Sequence, residues 1–336
     1  MSGTSQQLRR RSVARSVGAA VLVAVLLLAA RPGAAFVRYL SETKCPYSWR
    51  KRAISIDAYP RDIADMTAEQ TATAIEGSID AWTKRNAALA GCTDLDLKFV
   101  AHGPTEMPPT ARFDQRNIVA IRTDKWCAPK RDGSPDPNCT EPHDPSALAI
   151  TSVFARGYGE IVDADIEVNG FTFLWGDLVG TPDPGRQDLQ NALTHEVGHF
   201  IGLNHTCYIG DVANPPTDHN GEEIPSCDTA PAAVKATTMF ASALPGDISK
   251  RTLEEDDQAA LCAIYPAGAA DELACGTPDQ GGGCAVAAPA NGAGDVGSAR
   301  TTWHWMGAAA ALFAVVGMSW LGARGRVTRR RRGDLG

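Results

Sequence analysis

No two of the nine cysteines in this 336-residue chain stand in a CxxC spacing, so a cysteine-rich zinc module is excluded. Histidine is scarce, with seven in all. Positive charge is scarce as well once the two ends are set aside. Residues 1–35 and 303–336 together hold eleven of the 32 basic residues and one of the 39 acidic ones, leaving −17 on the body between them. Such a body repels nucleic acid phosphate, and nucleic acid is excluded as a partner. No EF-hand spacing occurs among the acidic residues.

Long apolar runs are confined to the ends. Arg9, Arg10, Arg11 and Arg15 precede AAVLVAVLLLAA (19–30), and the small residues Gly33, Ala34 and Ala35 follow. That order predicts a secretory signal peptide over 1–35, with an uncleaved anchor as the alternative. At the other end, 306–323 is apolar and about long enough to cross a bilayer. Trp303 and Trp305 precede it and an Arg-rich tail, 324–336, follows, which predicts a membrane anchor with the body outside. A Gly/Ala/Pro-rich linker, 276–305, leads into it. The tail resembles the myxobacterial type of C-terminal sorting signal, in which Gly283-Cys284 would be the processed motif. The body, 36–275, is then exported to the periplasm, the cell surface or the medium.

With Cys284 assigned to sorting, eight cysteines remain: Cys45, Cys92, Cys127, Cys139, Cys207, Cys227, Cys262 and Cys275. An even number in an exported chain predicts disulfides. Sequence alone leaves their connectivity open; pairing of neighbours, 45–92, 127–139, 207–227 and 262–275, is the expectation.

Against this scarcity of histidine, THEVGHFIGLNHT (194–206) holds three of the seven. PDPG (182–185) breaks the preceding chain, and Leu189, Leu193, Val197, Phe200 and Ile201 recur at helical spacing, predicting a helix over 187–203. His195 and His199 fall on the opposite face, one turn apart. At that spacing two imidazoles reach one metal ion, and Glu196 leans beside them as a general base. A catalytic zinc site needs a third ligand. His205 would lie about 9 Å farther along a continuing helix, so the chain must turn, and Gly202 can take the left-handed conformation that ends it. One catalytic zinc ion on His195, His199 and His205 is the expectation.

H-E-x-x-H-x-x-G-x-x-H, as it stands at 195–205, resembles the metzincin signature. The region 45–266 resembles the matrixin family of metalloproteases in particular. Thr206 follows the third histidine; ATTMFASALPGD (236–247) supplies Met239, similar to the methionine turn under the metal; RTLEEDDQAALCAIYP (251–266) resembles the family's last helix. The resemblance implies a zincin-like α/β (α+β) domain with a twisted, mostly parallel five-stranded sheet and three main helices. Strands are expected in 49–60, 95–101 and 117–123, and a long helix over 67–84. GEIVDADIEVNG (159–170) resembles the strand beside the substrate cleft, whose edge would take an extended peptide. The implied activity is zinc-dependent hydrolysis of peptide bonds in protein or peptide substrates.

The chain also departs from the family. His102, His143, Asp132, Asp136 and Asp144 lack the spacing of its second, structural zinc site. The insertion 206–231 carries Asp211, Asp218, Glu222, Glu223 and Asp228, which offer calcium oxygen ligands, although a solvated acidic loop is the favoured reading. Ala241 stands where some metzincins keep a tyrosine. Cleavage after Ala35 would leave only nine residues before Cys45, too few to be expected to cover a cleft, yet CGTPD (275–279) resembles the cysteine-switch motif, so Cys275 has two readings: a thiolate on the metal, or a disulfide. The rival from another class is a surface binding or adhesion module with structural zinc; a zinc hydrolase of non-peptide substrates is the enzymatic rival.

Overall fold

A computed structural model describes residues 36–63, 65–130, 132–269 and Cys275. The expected signal peptide, linker, apolar segment 306–323, Arg-rich tail and Cys284 lie outside these residues.

In chain order the strands are β1 (Val37–Arg38), β2 (Ser48–Trp49), β3 (Ala53–Tyr59), β4 (Asp96–Ala101), β5 (Ile118–Arg122), β6 (Ala149–Ala155), β7 (Glu160–Asn169), β8 (Trp175–Gly176), β9 (Gln187–Asp188) and β10 (Leu203–Asn204). The helices are α1 (Ala68–Ala81), α2 (Leu189–Phe200), α3 (Ala232–Ala236) and α4 (Glu255–Ile264). β2, β7, β5, β3 and β4 form one sheet in that order, all parallel, and β6 joins it antiparallel to β7. The chain is therefore α/β with a mostly parallel sheet and few helices. The sheet has six strands rather than the expected five. Among the described residues no helix is long and apolar enough to cross a membrane.

Local chemistry sets the helix ends. Thr67 accepts from the Gln70 backbone N–H (3.3 Å) while the Gln70 side chain accepts from the Thr67 N–H (2.8 Å), a reciprocal cap that starts α1. Asp188 caps α2 through the Asn191 N–H (2.8 Å). Arg251 neutralises that buried carboxylate at 2.7 Å. α1 buries Ile75 and Ile79, and Trp82 beyond its end donates its indole N–H to the Thr194 carbonyl (2.7 Å), locking α1 to α2.

The strand expected beside the cleft is not an edge. β7 has β5 on one side and β6 on the other, so 159–170 lies inside the sheet. The outermost strand on this side of the sheet is β6, which pairs only with β7 among the described residues, while β4 forms the opposite edge. β6 escapes sequence reading because Ala149, Ile150, Thr151, Val153, Phe154 and Ala155 are all buried, leaving no alternation to detect. β7 carries a buried acidic row as well. Asp163 accepts the N–H groups of Asp114 and Gln115 (2.7 Å each), Asp165 those of Arg112 and Ile118, and Glu167 meets Arg122 at 2.7 Å. Burial, then the charge of Asp163, pushes the Asp165 carboxyl well up.

Two of the four expected cysteine pairs are present: Cys127–Cys139 and Cys207–Cys227, with Cα separations of 5.4 and 4.9 Å. The other two need correction. Cys92 stands with Cys262 (Cα–Cα 5.2 Å) and Cys45 with Cys275 (5.9 Å), so neither 45–92 nor 262–275 forms. The reason is the docking of α4. The Thr93 hydroxyl donates to the Tyr265 carbonyl (2.6 Å) and the Ala267 N–H to the Cys92 carbonyl (2.9 Å), which brings the end of α4 against Cys92. Cys275 is thus bonded to Cys45 and offers no thiolate, so the thiolate-switch alternative falls.

Non-reducing peptide mapping is expected to recover Cys45 linked to Cys275 and Cys92 linked to Cys262. Recovery of a Cys45–Cys92 peptide instead would refute this pairing. Replacing Cys92 and Cys262 together with serine should lower unfolding stability by about 2–5 kcal/mol in urea titrations.

Candidate metal centre

α2 contributes His195, Glu196 and His199 from one stretch of backbone, and the turn after it contributes His205. The polar face of α2 does not meet solvent: the three histidines and Glu196 are all buried. Gly202 turns the chain with φ +98°, and a β-carbon there would lie 2.5 Å from the Tyr47 carbonyl oxygen. The expected role of Gly202 is met by its conformation and by this close approach.

The turn returns His205 to the helix. Its Nε2 lies 3.1 Å from Nε2 of His195 and 3.1 Å from Nε2 of His199. Among the described residues these three form the one group of three or more His, Cys, Asp or Glu side chains placed to hold a metal ion. The acidic residues of the insertion make no such group, nor do His102 and His143. His102 bonds to Glu106 (2.9 Å), and His143 lies 3.5 Å from Glu167.

Hydrogen bonds behind the rings fix their tautomers. His195 Nδ1–H donates to the Thr238 carbonyl (2.7 Å) and His199 Nδ1–H to the Leu203 carbonyl (2.9 Å). With those protons committed, Nε2 of each ring is an acceptor aimed at His205. One proton on His205 Nε2 would serve one of them, whereas a cation at the meeting point is shared by all three. Burial, then the neighbouring imidazole, pulls His195 and His205 well below the ordinary histidine range, and burial pulls His199 to about 4. Three neutral nitrogen donors result, a set that suits a divalent transition metal.

Glu196 points toward β6. Its Oε2 accepts from the Thr151 hydroxyl at 2.5 Å, and the same hydroxyl lies 3.2 Å from the Glu196 carbonyl oxygen. Burial raises the carboxyl to about 8, against the opposing pull of that hydrogen bond and of Lys250.

Met239 packs directly against α2. A β-carbon at Gly198 would stand 2.2 Å from its Sδ and 3.1 Å from Trp82 Cζ2. The segment around Met239 is pinned on several sides. The Thr206 N–H donates to the Met239 carbonyl (3.1 Å), the hydroxyls of Thr206 and Thr237 meet at 2.9 Å, and Asp257 accepts the Thr238 N–H (2.9 Å) from the first turn of α4. Beyond the turn, buried Lys250 donates to the carbonyls of Phe240 (2.5 Å) and Ser242 (2.8 Å). Burial draws its ammonium down to about 7. A cavity of about 670 Å³ opens beside this segment, lined by Phe240, Ser242, Ala243, Leu244 and Lys250 among others.

The residues that sequence reading missed are Gly198, Thr151, Lys250 and Tyr39. The x-x positions within HExxH carried the only signal for Gly198: a glycine in mid-helix costs stability and needs a packing reason. The sequence matches no protein-family model and no curated protein.

Gly198→Ala is expected to destabilise the body by about 1–3 kcal/mol, because the new methyl must displace Met239 or Trp82. Gly103→Ala, where the methyl would meet open space, is the control for urea unfolding. Equal midpoints for the two variants would remove the packing argument.

Proposed function

We propose that the chain is a zinc-dependent endopeptidase, a matrixin-like metzincin, acting on exported or surface proteins. The observation that carries this reading is the convergence of three buried neutral imidazoles, with the buried carboxyl of Glu196 next to the first of them on the same helix. Zinc takes three histidine nitrogens readily and leaves a position open in catalytic sites. When bound there it supplies a Lewis acid for a carbonyl and lowers the pKa of water.

The chain's own residues do the rest. His195, His199 and His205 hold the ion, with the Thr238 and Leu203 carbonyls fixing two of the rings behind it. Glu196 takes a proton from water as that water attacks the scissile carbonyl, and hands it to the departing amine. Its burial raises its proton affinity, which suits a group that must accept and then release a proton. Thr151 orients the carboxyl from β6. The outer edge of β6 suits an extended peptide, whose backbone would continue the ladder. The cavity beyond Met239 offers space for one side chain of that peptide. The four cysteine pairs support an oxidising compartment, in line with export.

Purified protein is expected to bind one zinc ion per chain and to cleave unstructured casein. Glu196→Ala should keep the zinc and lose about 10²–10⁴-fold in rate. Chelation should abolish cleavage, and added zinc should restore it. Zinc retained without cleavage by the natural sequence would favour the binding-module alternative, and absence of zinc would sink the reading.

A further inference from the structure

Residues 36–49 form a strap beneath the turn that carries the chain from His199 to His205. β1 pairs antiparallel with β10, with Val37 opposite Asn204 and Arg38 opposite Leu203. The Tyr39 N–H donates to the Gly202 carbonyl (3.0 Å). At the far end of the strap the Trp49 indole N–H donates to the Phe200 carbonyl (2.8 Å). Phe36, at the near end, stacks on His219 of the insertion with ring centroids 5.0 Å apart. Cys45, within the strap, is tied to Cys275.

From this strap the Tyr39 side chain reaches the histidine cluster. Its hydroxyl lies 3.1 Å from His199 Nδ1, its ring 5.5 Å from the imidazole, and the side chain is 5% exposed. The hydroxyl oxygen is thus a second acceptor, beside the Leu203 carbonyl, for the N–H on the ring nitrogen that does not face the cluster. Tyr47 packs against the Tyr39 ring at 5.9 Å, and the backbone bonds on either side set where that ring can stand.

We propose that Tyr39 is a positioning residue of the metal centre. Its hydroxyl holds the His199 ring in the tautomer and orientation that present Nε2 to the ion, and through it the N-terminal strap governs metal retention. The proposal rests on the triad being a zinc site. Two acceptors on one N–H resist rotation of the ring better than one, and they increase the electron density left at Nε2. Partners of this kind typically change metal affinity 10–100-fold.

The test uses the full chain as wild type, Tyr39→Phe and Tyr47→Phe, the last removing a neighbouring hydroxyl from the same strap. Zinc dissociation constants come from competition with a chromophoric chelator, and cobalt(II)-loaded samples give visible spectra of the site. Tyr39→Phe is expected to weaken zinc about 10–100-fold and to shift the cobalt bands. Tyr47→Phe should match wild type in both, and the metal-free forms of the two variants should melt together. Equal zinc affinity in Tyr39→Phe and wild type overturns the proposal. Unchanged cobalt bands in Tyr39→Phe overturn it as well, even where the variant is less stable. A wild-type chain that holds no zinc removes the zinc reading itself, an outcome distinct from failure of the tyrosine alone.

Discussion

At Gly202 the backbone leaves α2 in the left-handed region and passes under the Tyr47 carbonyl so closely that no β-carbon fits. This reversal is the constraint on which the histidine cluster depends. Without it His205 would continue away from His199 along the helix axis. With it, three imidazoles meet in a volume closed to solvent, and their neighbours must then satisfy every buried polar atom. The Thr238 and Leu203 carbonyls, the Tyr39 hydroxyl and Asp257 are the groups recruited to do so, and they come from four separate parts of the chain.

That dispersal explains what sequence could and could not reveal. His195, Glu196, His199, Gly202 and His205 lie within eleven residues, and helix spacing together with a glycine reversal brings the histidines to one place, so they are legible. Met239 is legible through its local motif, while its contact with Gly198 is not, because a glycine between ligands looks like filler until the sulfur beyond it is known. Thr151 belongs to a strand with no alternating pattern and gave no signal at all. Tyr39 carries no motif or periodicity; only the pairing of β1 with β10 brings it to His199.

The same distinction runs through the fold. The parallel strands over 53–59, 96–101 and 118–122 and the helices α1 and α2 announce themselves through apolar periodicity. β6 and the buried acids of β7 are silent, since both depend on which neighbours cover them. Cys207–Cys227 closes the insertion 206–231 as a local loop, which the spacing of neighbours predicts. The long-range pairs are not predicted that way, because pairing of sequence neighbours ignores the docking of α4 on the turn at Cys92. Local closures are written in spacing; distant ones are written in packing.

Those distant closures have a consequence for the survival of the chain. Cys45–Cys275 spans 230 residues, Cys92–Cys262 lies inside it and spans 170, and the two short loops lie inside that. The body is therefore a set of nested covalent rings. A single nick anywhere between Cys45 and Cys275 leaves the two fragments joined, a nick between Cys92 and Cys262 leaves them joined at least twice, and one inside either short loop leaves them joined three times. Exposed loops such as 170–174 and 209–223 can be severed without releasing the strap, the helix or the turn that together assemble the histidine cluster. One cut in the backbone therefore leaves the three histidines on a chain that is still covalently closed.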